Sequence, residues 1–215
     1  HDAIIFMLET LRQDQIVLMP TTNSAYGSGN KDNFCDEESP LNPISKYALD
    51  KVTVEKKLMK RENSISFRLA TVFGMSPKMR IDLLVNDFVY RAIKDGFIVL
   101  YESHFKRNYI HVKDVASVFI HAINNFDKMK GEIFNVGLSD ANLSKLELCE
   151  RIKSHIQDFI IMEASMATDP DQRNYIVSNK KIESTGWKPK NTLDNGIFEL
   201  MKGYKMLVNS KYGNI

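Results

Sequence analysis

Tyr47 and Lys51 stand four residues apart in the run Y-A-L-D-K, within a segment of helix formers that has neither glycine nor proline. Residues i and i+4 of a helix share a face, so the spacing places a phenol beside an ammonium. A free phenol, with a pKa of about 10, is a poor base near neutrality. A nearby cation in a partly desolvated cleft favours the phenolate, and a shift of about 3 units needs roughly 4 kcal/mol of differential interaction. A phenolate poised in this way removes a proton from a hydroxyl group. Y-x-x-x-K also arises by chance, so its surroundings decide what it means. Upstream lies the hydroxyl-rich T-T-N-S-A-Y-G (Thr21 to Gly27), and between the two runs an acidic, proline-containing loop, E-E-S-P-L-N-P-I-S-K-Y.

These residues need a scaffold. Ile4, Met7, Leu8 and Leu11 recur at helical spacing, and Q-I-V-L-M-P then reads as a short buried strand. Residues 21–44 are loop, with Pro40 and Pro43 stopping regular structure, and a helix runs from Ser45 to about Arg61. S-I-S-F-R-L-A-T-V-F-G reads as one strand, D-L-L-V-N-D-F-V-Y-R-A-I-K-D-G as an amphipathic helix closed by Gly96, and F-I-V-L-Y and R-N-Y-I-H-V as further strands. Asp114 is expected to cap the helix V-A-S-V-F-I-H-A-I-N-N-F. E-I-F-N-V-G reads as a strand, and Ser144 with Glu147 as a capping box. F-I-I-M-E, a Y-I-V-S strand fragment and a final helix from about Asp194 follow. Strands alternate with helices up to about residue 75, which predicts an α/β fold with a parallel sheet; beyond it the looser pattern suits a smaller mixed lobe.

The composition is that of an ordinary globular chain: 215 residues, 43% hydrophobic and 26% charged. A net charge of +2, with basic and acidic residues interspersed, argues against nucleic acid as a partner. Cys35 and Cys149 fit no metal or redox spacing, the five histidines form no ligand pattern, and no metal site is expected; two reduced thiols suit a cytoplasmic protein. There is no apolar run of membrane-spanning length.

The run from Thr21 to Lys51 resembles the active-site region of the extended short-chain dehydrogenase/reductases that act on nucleotide sugars. The family phrase E-S-P…P…Y-x-x-x-K is matched by Glu38, Ser39, Pro40, Pro43, Tyr47 and Lys51. The resemblance implies a Rossmann-like doubly wound parallel sheet, here its C-terminal part, plus a mixed α/β substrate lobe. It divides the chain into residues 1–75 and 76–215, with segments around 107–126 returning to the Rossmann sheet. It also implies NAD as cofactor (NADP not excluded) and a nucleotide-sugar substrate. Tyr47 becomes the base, Lys51 its partner and a ligand of the nicotinamide ribose, and Thr22, five residues before Gly27, the donor to the reacting oxygen, with Ser24 the second choice. Ala70 is expected against the cofactor, and Asn23, Thr71, Asn86, Arg107 and Arg173 against the substrate. Thr71 replaces the family's usual asparagine. Asn86 equally suits an ordinary polar helix position, and Lys78 and Arg80 suit a solvated turn or a phosphate contact. A guanidinium fork pairs well with diphosphate, the role implied for Arg107 and Arg173.

M-P-T-T-N-S-A-Y-G, F-R-L-A-T-V-F-G-M-S-P-K-M-R and D-L-L-V-N-D-F-V-Y-R-A are most similar to the GDP-heptose 4-dehydrogenase subgroup, which serves surface polysaccharide synthesis. Asn23 and Ser24 replace the Asp-Glu that follows the threonine in 4,6-dehydratases, which argues against dehydration. A homodimer through the helix carrying Tyr47 is implied, although core packing explains Val52, Val54, Leu58 and Met59 equally well. The glycine-rich turn that grips a dinucleotide pyrophosphate is not found in the chain, where only Gly27 and Gly29 lie close together. The reading is therefore the C-terminal part of an enzyme oxidising or epimerising C4 of a nucleotide sugar; the alternative is a non-catalytic remnant that binds sugar nucleotide or oligomerises.

Overall fold

The computed structural model describes residues 1–29, 34–164 and 173–206. Helix α1 (Asp2–Thr10) buries Leu8, which clusters with Val17 and Met19 of strand β1 (Val17–Thr22), and packs Ile4 and Ile5 against that cluster. A 3-10 turn follows over Asn23–Tyr26 where the sequence predicts only loop. It forms because Thr22, in extended conformation, caps it by accepting from the Ser24 amide. Helix α2 (Lys46–Leu58) starts where Ser45 accepts from the Ala48 amide, a standard N-cap. Val54 and Leu58 on its inner face complete a cluster with Leu8, Val17 and Met19. Val52 is buried as well, so core packing accounts for these α2 residues within one chain.

The expected single strand over residues 64–74 is two strands, β2 (Ser64–Leu69) and β3 (Thr71–Phe73), broken at Ala70. The Ala70 amide donates to the Val136 carbonyl while the chain beyond it leaves for a different partner. Helix α3 (Leu84–Lys94), strands β4 (Phe97–Tyr101) and β5 (Lys106–His111), helices α4 (Val112–Asn124) and α5 (Phe126–Met129), and strand β6 (Glu132–Val136) follow. The remainder is β7 (Asn142–Ser144), α6 (Lys145–His155), β8 (Ile160–Ala164), α7 (Lys180–Ser184) and α8 (Leu193–Met206). Ser144 and Glu147 form the expected capping box on α6.

The first sheet has the order β1-β2-β6 and is parallel throughout, with Thr21 opposite Arg68, Thr22 opposite Leu69, and Leu69 opposite Val136. The strand of the 107–126 segment, β5, pairs instead with β3 in parallel and β7 antiparallel, and β6 is the strand that rejoins β2. A third, two-stranded parallel sheet joins β4 to β8. The main core gathers Phe67, Phe73, Tyr109, Ile110, Phe134, Ile197 and Tyr204 around these sheets.

Two local expectations are corrected. Asp114 does not cap α4: the cap is His111, whose Nδ1 accepts from the Lys113 amide. The Asp114 carboxylate is buried and accepts from the Lys190 and Asn191 amides and from Asn191 Nδ2, at 2.9, 3.0 and 3.0 Å. The Y-I-V-S fragment is no strand; it makes one isolated bridge, Val177 with Cys35. The two cysteines are buried in separate clusters, and burial pushes the Cys149 thiol up to about 12.

Candidate active site

Consecutive strand residues point to opposite faces, and the end of β1 uses both. Thr21 turns beneath α2, where its hydroxyl donates to Glu55 Oε2 at 3.0 Å and pairs with Ser66 Oγ at 2.9 Å. The Thr22 hydroxyl instead caps the following turn, and both threonines line a cleft of about 590 Å³ together with Ser24, Tyr47, Lys51, Ala70 and Thr71. Gly27 lets the chain turn away beyond it: its φ is +62°, and a Cβ there would lie 1.8 Å from the Asn42 carbonyl oxygen.

Tyr47, one turn before Lys51 on α2, is 55% exposed at the cleft mouth. Lys51 Nζ lies 6.0 Å from the Tyr47 ring centroid and donates to the Pro20 carbonyl at 2.9 Å. Partial burial holds the Lys51 ammonium below the ordinary lysine range. The helix thus presents phenol and ammonium together, facing the strand end that offers the Thr22 hydroxyl.

The cleft is cationic. Arg80, Arg107 and Arg173 line it with Asp82 and Tyr175, so with Lys51 the cleft holds four cations and one carboxylate. Arg107 is nearly buried, stacks over the Tyr175 ring at 5.6 Å, and donates to the Lys106 carbonyl. The Arg173 guanidinium donates to Ser24 Oγ, next to Thr22. Arg80 Nε donates to Asp82 Oδ1 at 3.1 Å. Such a field suits a ligand carrying several negative charges.

Two expected substrate residues are elsewhere. Asn86 is buried and braces the loop before α3: its Oδ1 accepts from the Gly74 amide at 3.1 Å and its Nδ2 donates to the Arg80 carbonyl at 2.8 Å. Asn23 is wholly buried, with both polar side-chain atoms unpartnered, and does not line the cleft. Lys78 is likewise absent from the lining, whereas its neighbour Arg80 is part of it. Residues 165–172, which directly precede Arg173, lie outside the described residues. Among the described residues, no group of His, Cys, Asp and Glu is arranged to hold a metal, and no helix is long and apolar enough to cross a membrane.

Sequence reasoning passed over a buried polar network under the site. Glu55, one turn beyond Lys51, receives Arg68 Nη2 at 2.7 Å and Nε at 3.1 Å, and Ser66 Oγ at 2.8 Å. Arg68 Nη1 donates to Tyr26 Oη at 3.0 Å, and Tyr26 Oη in turn lies 2.7 Å from Asn135 Oδ1. Burial drives the Tyr26 phenol well above the ordinary range despite Arg68. An arginine inside the otherwise uncharged strand S-I-S-F-R-L was the signal available.

A profile of the NAD dependent epimerase/dehydratase family matches residues 5–137, well over half of the chain. The chain belongs to that family. A relative from Methanocaldococcus jannaschii, assigned provisionally as a UDP-glucose 4-epimerase, is 29% identical over 212 residues, covering 94% of this chain and 67% of that protein. CDP-paratose 2-epimerase from Salmonella typhi is 26% identical, over 82% of this chain and 56% of its own length. The epimerase/dehydratase fold is shared with dTDP-glucose 4,6-dehydratase from Bacillus anthracis in complex with NAD, at TM-score 0.81 and 23% identity over 97% of this chain and 68% of that one. The chain spans about half to two thirds of the length of these two curated relatives.

Proposed function

We propose that the protein containing this chain oxidises C4 of a nucleotide-activated sugar with NAD, as a 4-dehydrogenase or 4-epimerase, and that the substrate is a GDP-sugar for surface polysaccharide. The observation that carries this reading is the convergence of Thr22, Tyr47 and Lys51 on one cleft that Arg80, Arg107 and Arg173 also line. The residues present suit the nicotinamide-ribose half of a dinucleotide: Tyr47, Lys51 and Ala70 line the same cleft and offer a hydroxyl, an ammonium and a small apolar side chain. They do not include a glycine-rich pyrophosphate turn. When bound, the nicotinamide supplies the hydride acceptor. NADP would suit the same three residues.

Each side chain then has a defined task. Lys51, anchored on Pro20, favours the Tyr47 phenolate by its charge. Tyr47 removes the proton from the C4 hydroxyl. Thr22 orients the C4 oxygen, and Arg107 and Arg173 grip the diphosphate bidentately. Asn23 and Ser24 after the threonine supply no carboxylate pair for dehydration, which supports an intact C6 hydroxyl in the product. Exposed Phe6 on α1 and Leu49 on α2 support pairing of two chains through these helices.

The test is a thermal melt of the purified chain with GDP, UDP, dTDP, CDP and NAD in turn. A ligand at about 100 times its Kd adds roughly 2.7 kcal/mol, a shift of several degrees for a chain of this size. A rise with GDP and not with the other nucleotides supports the GDP-sugar assignment. A rise with a different nucleotide replaces GDP in the proposal, and no rise with any nucleoside diphosphate overturns it.

A further inference from the structure

The buried carboxylate under α2 has a geometry that reaches the reacting groups. Glu55 follows Tyr47 and Lys51 at the same four-residue interval, so all three project from one side of the helix, Glu55 inward. Its Oε2 accepts from Thr21, the residue before Thr22, and from Ser66 on the neighbouring strand. Its Oε1 accepts from Arg68, the register partner of Thr21. Arg68 passes on to Tyr26, at the end of the turn that Thr22 begins. Helix, strand end and turn therefore meet on one buried ion pair, with Glu55 and Arg68 each about 3% exposed. The second tie between α2 and β1 is Lys51 to the Pro20 carbonyl. Both ties grip β1 within two residues of Thr22, one through the backbone and one through a side chain.

We propose that Thr21, Glu55 and Arg68 form a positioning clamp that sets the height of α2 along β1, and so the separation of the Tyr47 phenol from the Thr22 hydroxyl. This rests on the role proposed above for Tyr47 and Thr22. Apolar packing of Val54 and Leu58 on Val17 and Met19 holds the helix down on the strand, but dispersion contacts are weakly directional and tolerate sliding. A carboxylate saturated by donors from two strands does not, because any shift along the axis breaks several charge-assisted hydrogen bonds at once. A general base misplaced by about 1 Å loses on the order of 10²-fold in rate.

Thr21→Val removes the hydroxyl link and keeps the shape and the ion pair, and Thr21→Ser restores the link. Two readings are taken on each variant. The first is the 19F resonance of 3-fluorotyrosine at Tyr47, assigned by its loss in Tyr47→Phe and recorded on this chain. The second is kcat and KM of the full-length gene product at a temperature well below its melt. The clamp predicts a shifted or broadened Tyr47 resonance and a kcat lowered about tenfold or more with KM held within about twofold, both reversed by Thr21→Ser. A lowered melting temperature with an unmoved resonance and unchanged kcat would show that the network only stabilises the fold and would overturn the inference. A moved resonance in a protein whose Tyr47→Phe variant turns over normally would leave the clamp standing and remove the catalytic role of Tyr47 instead.

Discussion

Lys51 Nζ and the Pro20 carbonyl oxygen are 2.9 Å apart, so the cation of the helix is fastened to the strand that delivers Thr22 two residues later. The ammonium is thereby held near the Tyr47 ring with one of its three donors occupied and others available.

Replacing Tyr47 by Phe in the full-length gene product is expected to lower turnover by about 10²–10⁴-fold while nucleotide binding persists. Because Tyr47 is more than half exposed, the melt should change by no more than about 0.5 kcal/mol equivalent. Lys51→Met should also reduce turnover and, unlike Tyr47→Phe, loosen the helix from β1. Steady-state kinetics with parallel melts separate the two; wild-type turnover in Tyr47→Phe would remove the assignment.

The Glu55–Arg68 pair is buried on both sides, which makes it costly to break from one end. Glu55→Gln leaves a buried guanidinium without its countercharge, a loss of about 3–5 kcal/mol, or roughly 6–20 °C of melting temperature at this chain length. Replacing both, as Glu55→Gln with Arg68→Met, should recover part of that loss. A melt unchanged in the single variant would mean that the pair is not intact in solution.

Asp114 separates two magnitudes. A helix-cap residue replaced by alanine costs about 1 kcal/mol. A buried carboxylate serving three donors should cost about 3 kcal/mol, since the Lys190 and Asn191 amides are left unsatisfied. Chemical denaturation of Asp114→Ala distinguishes these, and a loss near the lower figure would count against the clamp on residues 190–191.

Acid should weaken the seam between α4 and α8. Burial works against the Glu199 charge, but hydrogen bonds from Lys113 and His111 outweigh it and hold the carboxyl below its ordinary 4.5. A carboxyl depressed in the folded state contributes stability that is fully present above the unfolded value and is lost as pH falls through the folded one. Melts of wild type and Glu199→Gln should therefore differ at pH 7 and converge as pH falls below about 4.5. A constant gap down to pH 3 would show that Glu199 does not carry the acid sensitivity.

Local chemistry was legible in the sequence wherever one segment contains the whole device. The Tyr47–Lys51 interval on a helix, the Ser144–Glu147 capping box and a strand at Q-I-V-L-M-P depend on spacing within a dozen residues or fewer, and the structure has each of them, the strand shifted to Val17–Thr22. Asp114 was misread because a cap and a long-range clamp use the same residue type, and its true partners are 76 and 77 positions away. Asn86 stays open in the sequence between a substrate contact and an ordinary helix position for a similar reason, since its partners, the Gly74 amide and the Arg80 carbonyl, lie outside its own helix. The break at Ala70 is invisible in the sequence, because no glycine or proline separates β2 from β3 and only their different neighbours, β6 and β5, divide them.

By itself, the sequence determined which residues can act as base, cation and hydroxyl donor, and it determined the α/β alternation that carries them, because backbone periodicity and helix capping are short-range effects. Only the tertiary structure decided that the Thr21 hydroxyl is taken up by Glu55 and Ser66 while that of Thr22 caps the next turn, that Arg80 lines the cleft with Arg107 and Arg173, and that Glu55 and Arg68 pair in the interior beneath α2. Those outcomes follow from strand register and from the burial of charge, and both are set by contacts between residues distant in the chain.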